Sequence, residues 1–193
     1  MARTVDPRRH AERRLLIVDA ALTCFARLGY HGATTAEICR EAGIGSGTFF
    51  HYFPTKADVL LAILDLGTRE TRAWFAAQEG RDDAAGVLRD VAAWQVDELA
   101  DPRIAGFVRA VASVMNEPEV ARALADDAAA LADGLTVWVA RAQRVGDVRA
   151  DQPARTLATW MLLVLDGFIG RIADQPGFTA LGEAPMLADA LER

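Results

Sequence analysis

The stretch Thr34–Lys56, TTAEICREAGIGSGTFFHYFPTK, decides how this chain is read. Thr34-x-x-Glu37 is a capping box, in which each side chain satisfies an orphan N–H of the other residue and so starts a helix. Gly43 follows about two turns later and supplies the positive φ that a sharp turn needs. A second short helix begins near Gly45-Ser46 and must end by Phe53, because Pro54 disfavours helix in the residue before it. Thr55 then caps a further helix, with Asp58 in its first turn where a carboxylate suits the dipole. Two short helices around a glycine turn make a helix-turn-helix. Its second helix projects its N-terminal residues at base edges in a DNA major groove, while the first lies across the backbone.

Residue types inside the stretch agree with that placement. Cys39, Gly43 and Phe49 meet the packing needs: a small residue where helices approach, a glycine turn and a large apolar anchor. Phe53 shares the inward face of Phe49. That leaves Ser46, Gly47, Thr48, Phe50, His51 and Tyr52 outward, a set that suits a groove of phosphates and thymine methyls better than water. The run Gly43-x-Gly45-x-Gly47-Thr48 has the look of a phosphate-cradling nucleotide loop, but such a loop needs a preceding strand. Ala36–Ala42 reads as helix instead.

Outward from this stretch, residues 1–10 read as a mobile arm in which Asp6-Pro7 blocks an early helix. From Glu12, the positions Ile17, Ala21, Cys24, Phe25 and Leu28 form one helical face, with Gly29 as C-cap. A long helix is expected from Lys56 to about Gln78, then helices over 83–100, 102–115, 117–144, 153–174 and 184–192. Asp101-Pro102, Glu117-Pro118, Gln152-Pro153 and Gln175-Pro176-Gly177 punctuate them. No run alternates as a strand would. The expected fold is all-α: residues 1–56 hold an arm and a helix-turn-helix DNA-binding domain, and residues 57–193 a helical body.

The 193 residues can bury a real core, and 52% hydrophobic with 25% charged residues is a globular composition. The net charge of −6 is divided unevenly. Residues 1–56 carry eight basic and five acidic side chains, giving +3, and the remainder carries −9. A positive head on an acidic body is what a nucleic-acid binder of this size produces. No purely apolar run nears the ~18 residues that cross a bilayer, since Trp160–Leu165 is stopped by Asp166, and Leu15–Val18 is too short for a signal-peptide core. The expectation is a cytoplasmic protein with no membrane partner. Cys24 and Cys39 form neither a disulfide framework nor a metal set, and buried reduced thiols are favoured over a redox pair.

Enzyme chemistry finds little support. There is no HExxH, no paired CxxC, no GxSxG elbow and no Glu-x-x-His, and His10, His31 and His51 all lie in the first 51 residues. No cofactor and no metal are expected. The body is instead rich in large side chains, including Trp74, Trp94, Phe107, Met115, Trp138, Trp160 and Phe168. Most belong to plain core packing, yet four tryptophans in so small a body leave room for a greasy cavity.

These residues resemble the tetracycline-repressor (TetR) type of bacterial regulator over about residues 12–62: a first helix ending in LGY, then GATT, EAGIGSGTFFHYFPTK and an apolar helix. The resemblance implies that Thr34 and Thr35 begin helix two beside phosphates. It places Ser46, Gly47, Phe50 and His51 at base-facing positions and Thr48, Tyr52 and Lys56 at backbone-facing ones. Lys56 is the chain's single lysine, which fits a compact ammonium kept for phosphate. The chain departs from the pattern at Gly45, where a capping serine is common and Ser46 could take over the cap. It departs again at Ser46 for a long polar residue, and at Phe50 for tyrosine. The resemblance also implies an inducer in the body, with Trp94, Gln95, Phe107, Arg109, Met115, Trp138 and Trp160 as candidate contacts.

The expectation is a bacterial, homodimeric, ligand-responsive repressor, nucleoid-associated when bound to a palindromic double-stranded operator and released by a mostly apolar small molecule. Residues of 153–174 cover too wide an arc for one buried side, which implies a second face against a partner. Leu157, Met161, Val164 and Phe168, with Leu187 and Leu191 of the last helix, are the expected dimer contacts. Gly167 and Gly170 would let the partner come close. A helical enzyme with a vestigial motif and a regulator without a small-molecule ligand remain as rivals.

Overall fold

The computed structural model describes residues 7–192, so most of the expected arm lies outside the described residues. Its last four residues are helical, for α1 runs Pro7–Gly32. Pro7 is the first described residue of α1, where its missing N–H costs nothing and its fixed φ suits the helix, so the proline expected to block a helix lies within one. Gly29, with φ of 69° and ψ of 168°, breaks the helix where its C-cap was expected, and one further turn follows across the kink to Gly32. α2 (Thr35–Glu41) and α3 (Ser46–Tyr52) are joined through Gly43 at φ of 62°. Thr34 and Thr55 both close capping boxes, with Glu37 and Asp58, and Thr55 opens α4 (Lys56–Ala77). Gly45 is the N-cap of α3 and offers no side chain, so the cap does not pass to Ser46.

The body adds α5 (Ala84–Leu99), α6 (Ile104–Ala112), α7 (Pro118–Val145), α8 (Ala154–Asp174) and α9 (Ala180–Glu192). The fold is all-α, with no strand among the described residues. α9 begins four residues earlier than expected because Pro185 sits inside it rather than ahead of it. One ladder hydrogen bond is forfeited there.

Two apolar cores organise the molecule. In the first, Ile17, Phe25, Ile38, Phe49 and Leu60 of the head meet Phe107 and Val111 of α6 and Val120 of α7. In the second, Phe75 of α4 meets Val91 of α5, Leu135 and Trp138 of α7, Leu165 of α8 and Leu187 of α9. α4 and α7 pass through both. α1 packs against α6 more extensively than against either α2 or α4. The crossing is close, since a Cβ added to Gly106 would stand 2.2 Å from the Ala26 carbonyl oxygen.

α8 alone among the described helices is long and apolar enough to cross a bilayer, although no unbroken apolar run of that length exists in the sequence. It packs on α7, α6 and α9. The apolar surplus is a stripe that none of the described residues covers: Trp160 is 63% and Leu163 56% exposed, and Gly167 lies on the same side.

Candidate functional site

The head presents α3 as an outward helix on a packed base. Phe49 and Phe53 are buried in the first core beside Cys39. Ser46, Gly47 and His51 are exposed, Phe50 is 53% exposed, and Thr48 and Tyr52 are half-buried. Thr34 is exposed at the start of α2, and Thr35 is half-buried behind it. The Thr34 hydroxyl accepts from the Glu37 N–H at 3.2 Å, and the Glu37 carboxylate accepts from the Thr34 N–H at 3.0 Å. That backbone bond holds the Glu37 carboxyl below its ordinary range. The motif therefore brings all nine expected DNA-facing residues onto the head, on α2, α3 and the start of α4.

Lys56 has a second duty there. Its ammonium donates to the carbonyls of Tyr30 and Ala33 at 2.6 and 2.8 Å and lies 4.3 Å from the centroid of the Tyr30 ring. Burial lowers its pKa. Two of three N–H donors are thus committed to the end of α1, and one is left for a phosphate.

The head is fastened to the body through α6. Arg103 donates to the Asp19 carboxylate at 2.7 Å and to the Thr23 hydroxyl at 2.9 Å, both on α1, while gripping Asp101 through Nε and Nη2. At the other end of α6, Arg109 donates to the Ala173 carbonyl in the last turn of α8. One short helix thus touches the DNA-reading head and the C-terminal end of α8.

The expected effector contacts are scattered. Phe107 is in the first core and Trp138 in the second, where Arg141 covers its ring. Trp94 stacks on Trp74 at 5.1 Å. Met115 is exposed beyond α6, and Arg109 is held by α8. Gln95 is only 9% exposed within α5. Trp160 lines a cavity of about 380 Å³ together with Leu88, Val139, Leu157, Met161, Val164 and Leu191, with Asp147 and Arg149 at its edge, while Trp138 lines a separate one of about 310 Å³ between α4 and α7. So Leu157, Met161, Val164 and Leu191, expected at a dimer interface, line the cavity beside Trp160. Phe168 and Leu187, also expected at a dimer interface, lie instead inside the second core, where at 7% and 3% exposure they have almost no surface to offer a partner.

Comparison with known proteins meets this geometry. Residues 17–63, from mid-α1 into α4, match the family of bacterial regulatory proteins called the tetR family. The HTH-type transcriptional repressor Rv1474c of Mycobacterium tuberculosis is 33% identical over 84% of this chain and 83% of its own. The chain belongs to the tetR family. AcnR, an HTH-type transcriptional repressor of Corynebacterium diphtheriae, is 30% identical over 83% of this chain and 81% of its own. Among solved structures, a transcriptional regulator of Saccharomonospora viridis in complex with choline superposes with a TM-score of 0.78 at 24% identity, over 95% of this chain and 97% of that one. FadR of Bacillus subtilis in complex with stearoyl-CoA gives 0.77 at 17% identity, over 92% and 96%. This is a family of transcriptional regulators and not of enzymes.

The tetR-family chain also has functional geometry that its sequence did not single out. Arg103 and Gly106 both lay in the helix expected over 102–115, with nothing to mark either. Burial raises the carboxyl pKa of Asp127 on α7, against hydrogen bonds from the buried Thr68 and Thr71 of α4. Asp166 of α8 is raised as well, by burial and by the charge of Asp127. Only the approach of three helices distinguishes Asp127 from its neighbour Asp126.

Proposed function

We propose that this chain is a homodimeric repressor that binds a palindromic operator through α2 and α3 and is released when a small molecule occupies its body. The observation that carries the reading is the outward set on α3, Ser46, Gly47, Phe50 and His51, held on a head whose core is completed by α6 of the body. Residues 1–56 do the reading, and residues 57–193 hold the effector and the dimer contacts. Its relatives of M. tuberculosis and C. diphtheriae are named repressors, which supports repression, acting in the cytoplasm on nucleoid DNA.

Two copies meet on the uncovered stripe of α8, through Trp160, Leu163, Gly167 and Gly170, with exposed Leu181 and Met186 of α9. A self-complementary patch there sets the heads for two half-sites related by a two-fold axis. The effector occupies the apolar cavity beside Trp160, whose volume lies in the range of small-molecule sites. Structural neighbours carry choline and stearoyl-CoA, so the fold accommodates ligands of very different polarity. Occupancy is conveyed through α8 and Arg109 to α6, and through Arg103 to α1, as a population shift between head orientations.

Selection of bound duplexes from a random pool is the test. An enriched palindrome, bound with affinity that falls steeply as salt rises, is the expected result. A pool that never enriches, or binding indifferent to salt, overturns the reading.

A further inference from the structure

We infer that the first turns of α1 form a second DNA-contacting element, which grips phosphates flanking each operator half-site. The family match begins at Ile17, whereas α1 begins ten residues earlier, at Pro7. The intervening PRRHAERRLL carries four arginines against one acidic residue, Glu12. This segment does not stand apart from the reading helix. The His10 ring lies 4.6 Å from the ring of Tyr52 and 6.2 Å from that of His51, on the last turn of α3. One helical turn on, the Arg14 guanidinium covers the Phe53 ring at 5.1 Å. His10 and Arg14 therefore fix the start of α1 against the end of the recognition helix.

Arg9 and Arg13, four residues apart on one flank of that packed stripe, are exposed and make no ion pair among the described residues. A duplex lying along α3 would bring its phosphate backbone past them, because the segment is continuous with the helix-turn-helix surface. Guanidinium pairs of this kind suit phosphate oxygens. The charge fits the placement: two exposed guanidiniums stand on the positive head, next to the recognition helix. His10 acts as a positioning residue, holding the arginines at the correct height above the groove.

This inference rests on operator binding, and the experiment separates the two. The full-length chain is titrated with its selected duplex across a salt series, alongside R9A/R13A, His10→Ala, His10→Phe and the control R89A, which removes an exposed arginine of α5. Loss of two phosphate contacts should flatten the log–log salt slope by about 1.8 and weaken low-salt binding roughly tenfold or more. Base preference and R89A should stay as in the parent. His10→Ala should flatten the slope partially, and His10→Phe, which keeps a ring on Tyr52, should restore it. If the parent binds and R9A/R13A leaves the slope unchanged, the inference fails while the repressor reading stands. An altered base preference at the flanks also overturns it, since the arginines would then read a groove. If no duplex binds the parent, the repressor reading itself has failed.

Discussion

Lys56 has a structural duty beside the phosphate contact proposed for it. Its ammonium satisfies the carbonyls of Tyr30 and Ala33, just where α1 ends and leaves such groups without helical partners. Lys56→Ala should therefore cost about 1–3 kcal/mol of stability through unsatisfied carbonyls, besides weakening all operator sequences alike. Urea unfolding of the variant, set beside its salt slope, checks both; unchanged stability would mean water replaces the ammonium freely. Gly106 is constrained by space, not by φ. A methyl at that position meets the Ala26 carbonyl at 2.2 Å, so α1 and α6 must part. Gly106→Ala should lower stability by about 1–3 kcal/mol, the usual cost of overpacking, although alanine is the better helix former. A rise in the urea midpoint would show that the crossing is loose.

Among the elements, α6 stands out because its N-cap Arg103 holds α1 while Arg109 in its last turn holds α8, the two ends of the proposed signal path. Its Arg103 is an ion pair that a static view would value little, being partly exposed. Its worth lies in what it joins. Arg103→Ala should leave operator affinity within a few-fold of the parent but reduce effector-driven release, since coupling residues typically carry 0.5–2 kcal/mol. Operator titrations with and without ligand give the coupling directly, and an unchanged ratio would remove Arg103 from the path. For α8, the decisive variants are Trp160→Arg and Leu163→Arg on the uncovered stripe. Each should yield folded monomers that lose operator binding, measurable by light scattering and anisotropy. Dimers of unchanged affinity in both variants would move the interface elsewhere.

For the whole molecule, charge is arranged to serve opposite ends. The head is positive where phosphates are met, and the body holds carboxylates in positions that burial penalises. Asp127 has its folded pKa raised above the unfolded value, so the folded state binds the proton more tightly. Stability then falls as pH rises from the ordinary aspartate value through the raised one, and the penalty is complete above both. Asp127→Asn keeps an acceptor for Thr68 and Thr71 while removing the charge. It should raise the melting temperature at pH 7–8, and the gain should vanish as pH drops below the ordinary aspartate range. A gain that persists in acid would assign the effect to packing. Asp101 and Asp151 act in the opposite direction, because hydrogen bonds from Arg103 and Arg149 lower their pKa values. Acid should therefore loosen the α1–α6 fastening while it relieves the body.

The sequence by itself determined the local structure and the reading helix. Thr34, Glu37, Gly43, Pro54, Thr55 and Asp58 act within a few residues of themselves, so caps, turn and helix limits could be read directly. The inward Phe49 and Phe53 followed from a helical period, and with them the outward set on α3. Only the tertiary structure decided which helix faces meet. Phe168 and Leu187 looked like partner contacts because an apolar stripe announces burial without saying against what. Leu163, Gly106 and Arg103 were unmarked because their significance depends on a neighbour 80 or more residues away or on the want of one. His10 was assigned to an arm, since nothing local foretells a ring waiting on Tyr52. Short-range rules write the elements into the chain, but packing partners emerge only when apolar surfaces compete for each other at a distance.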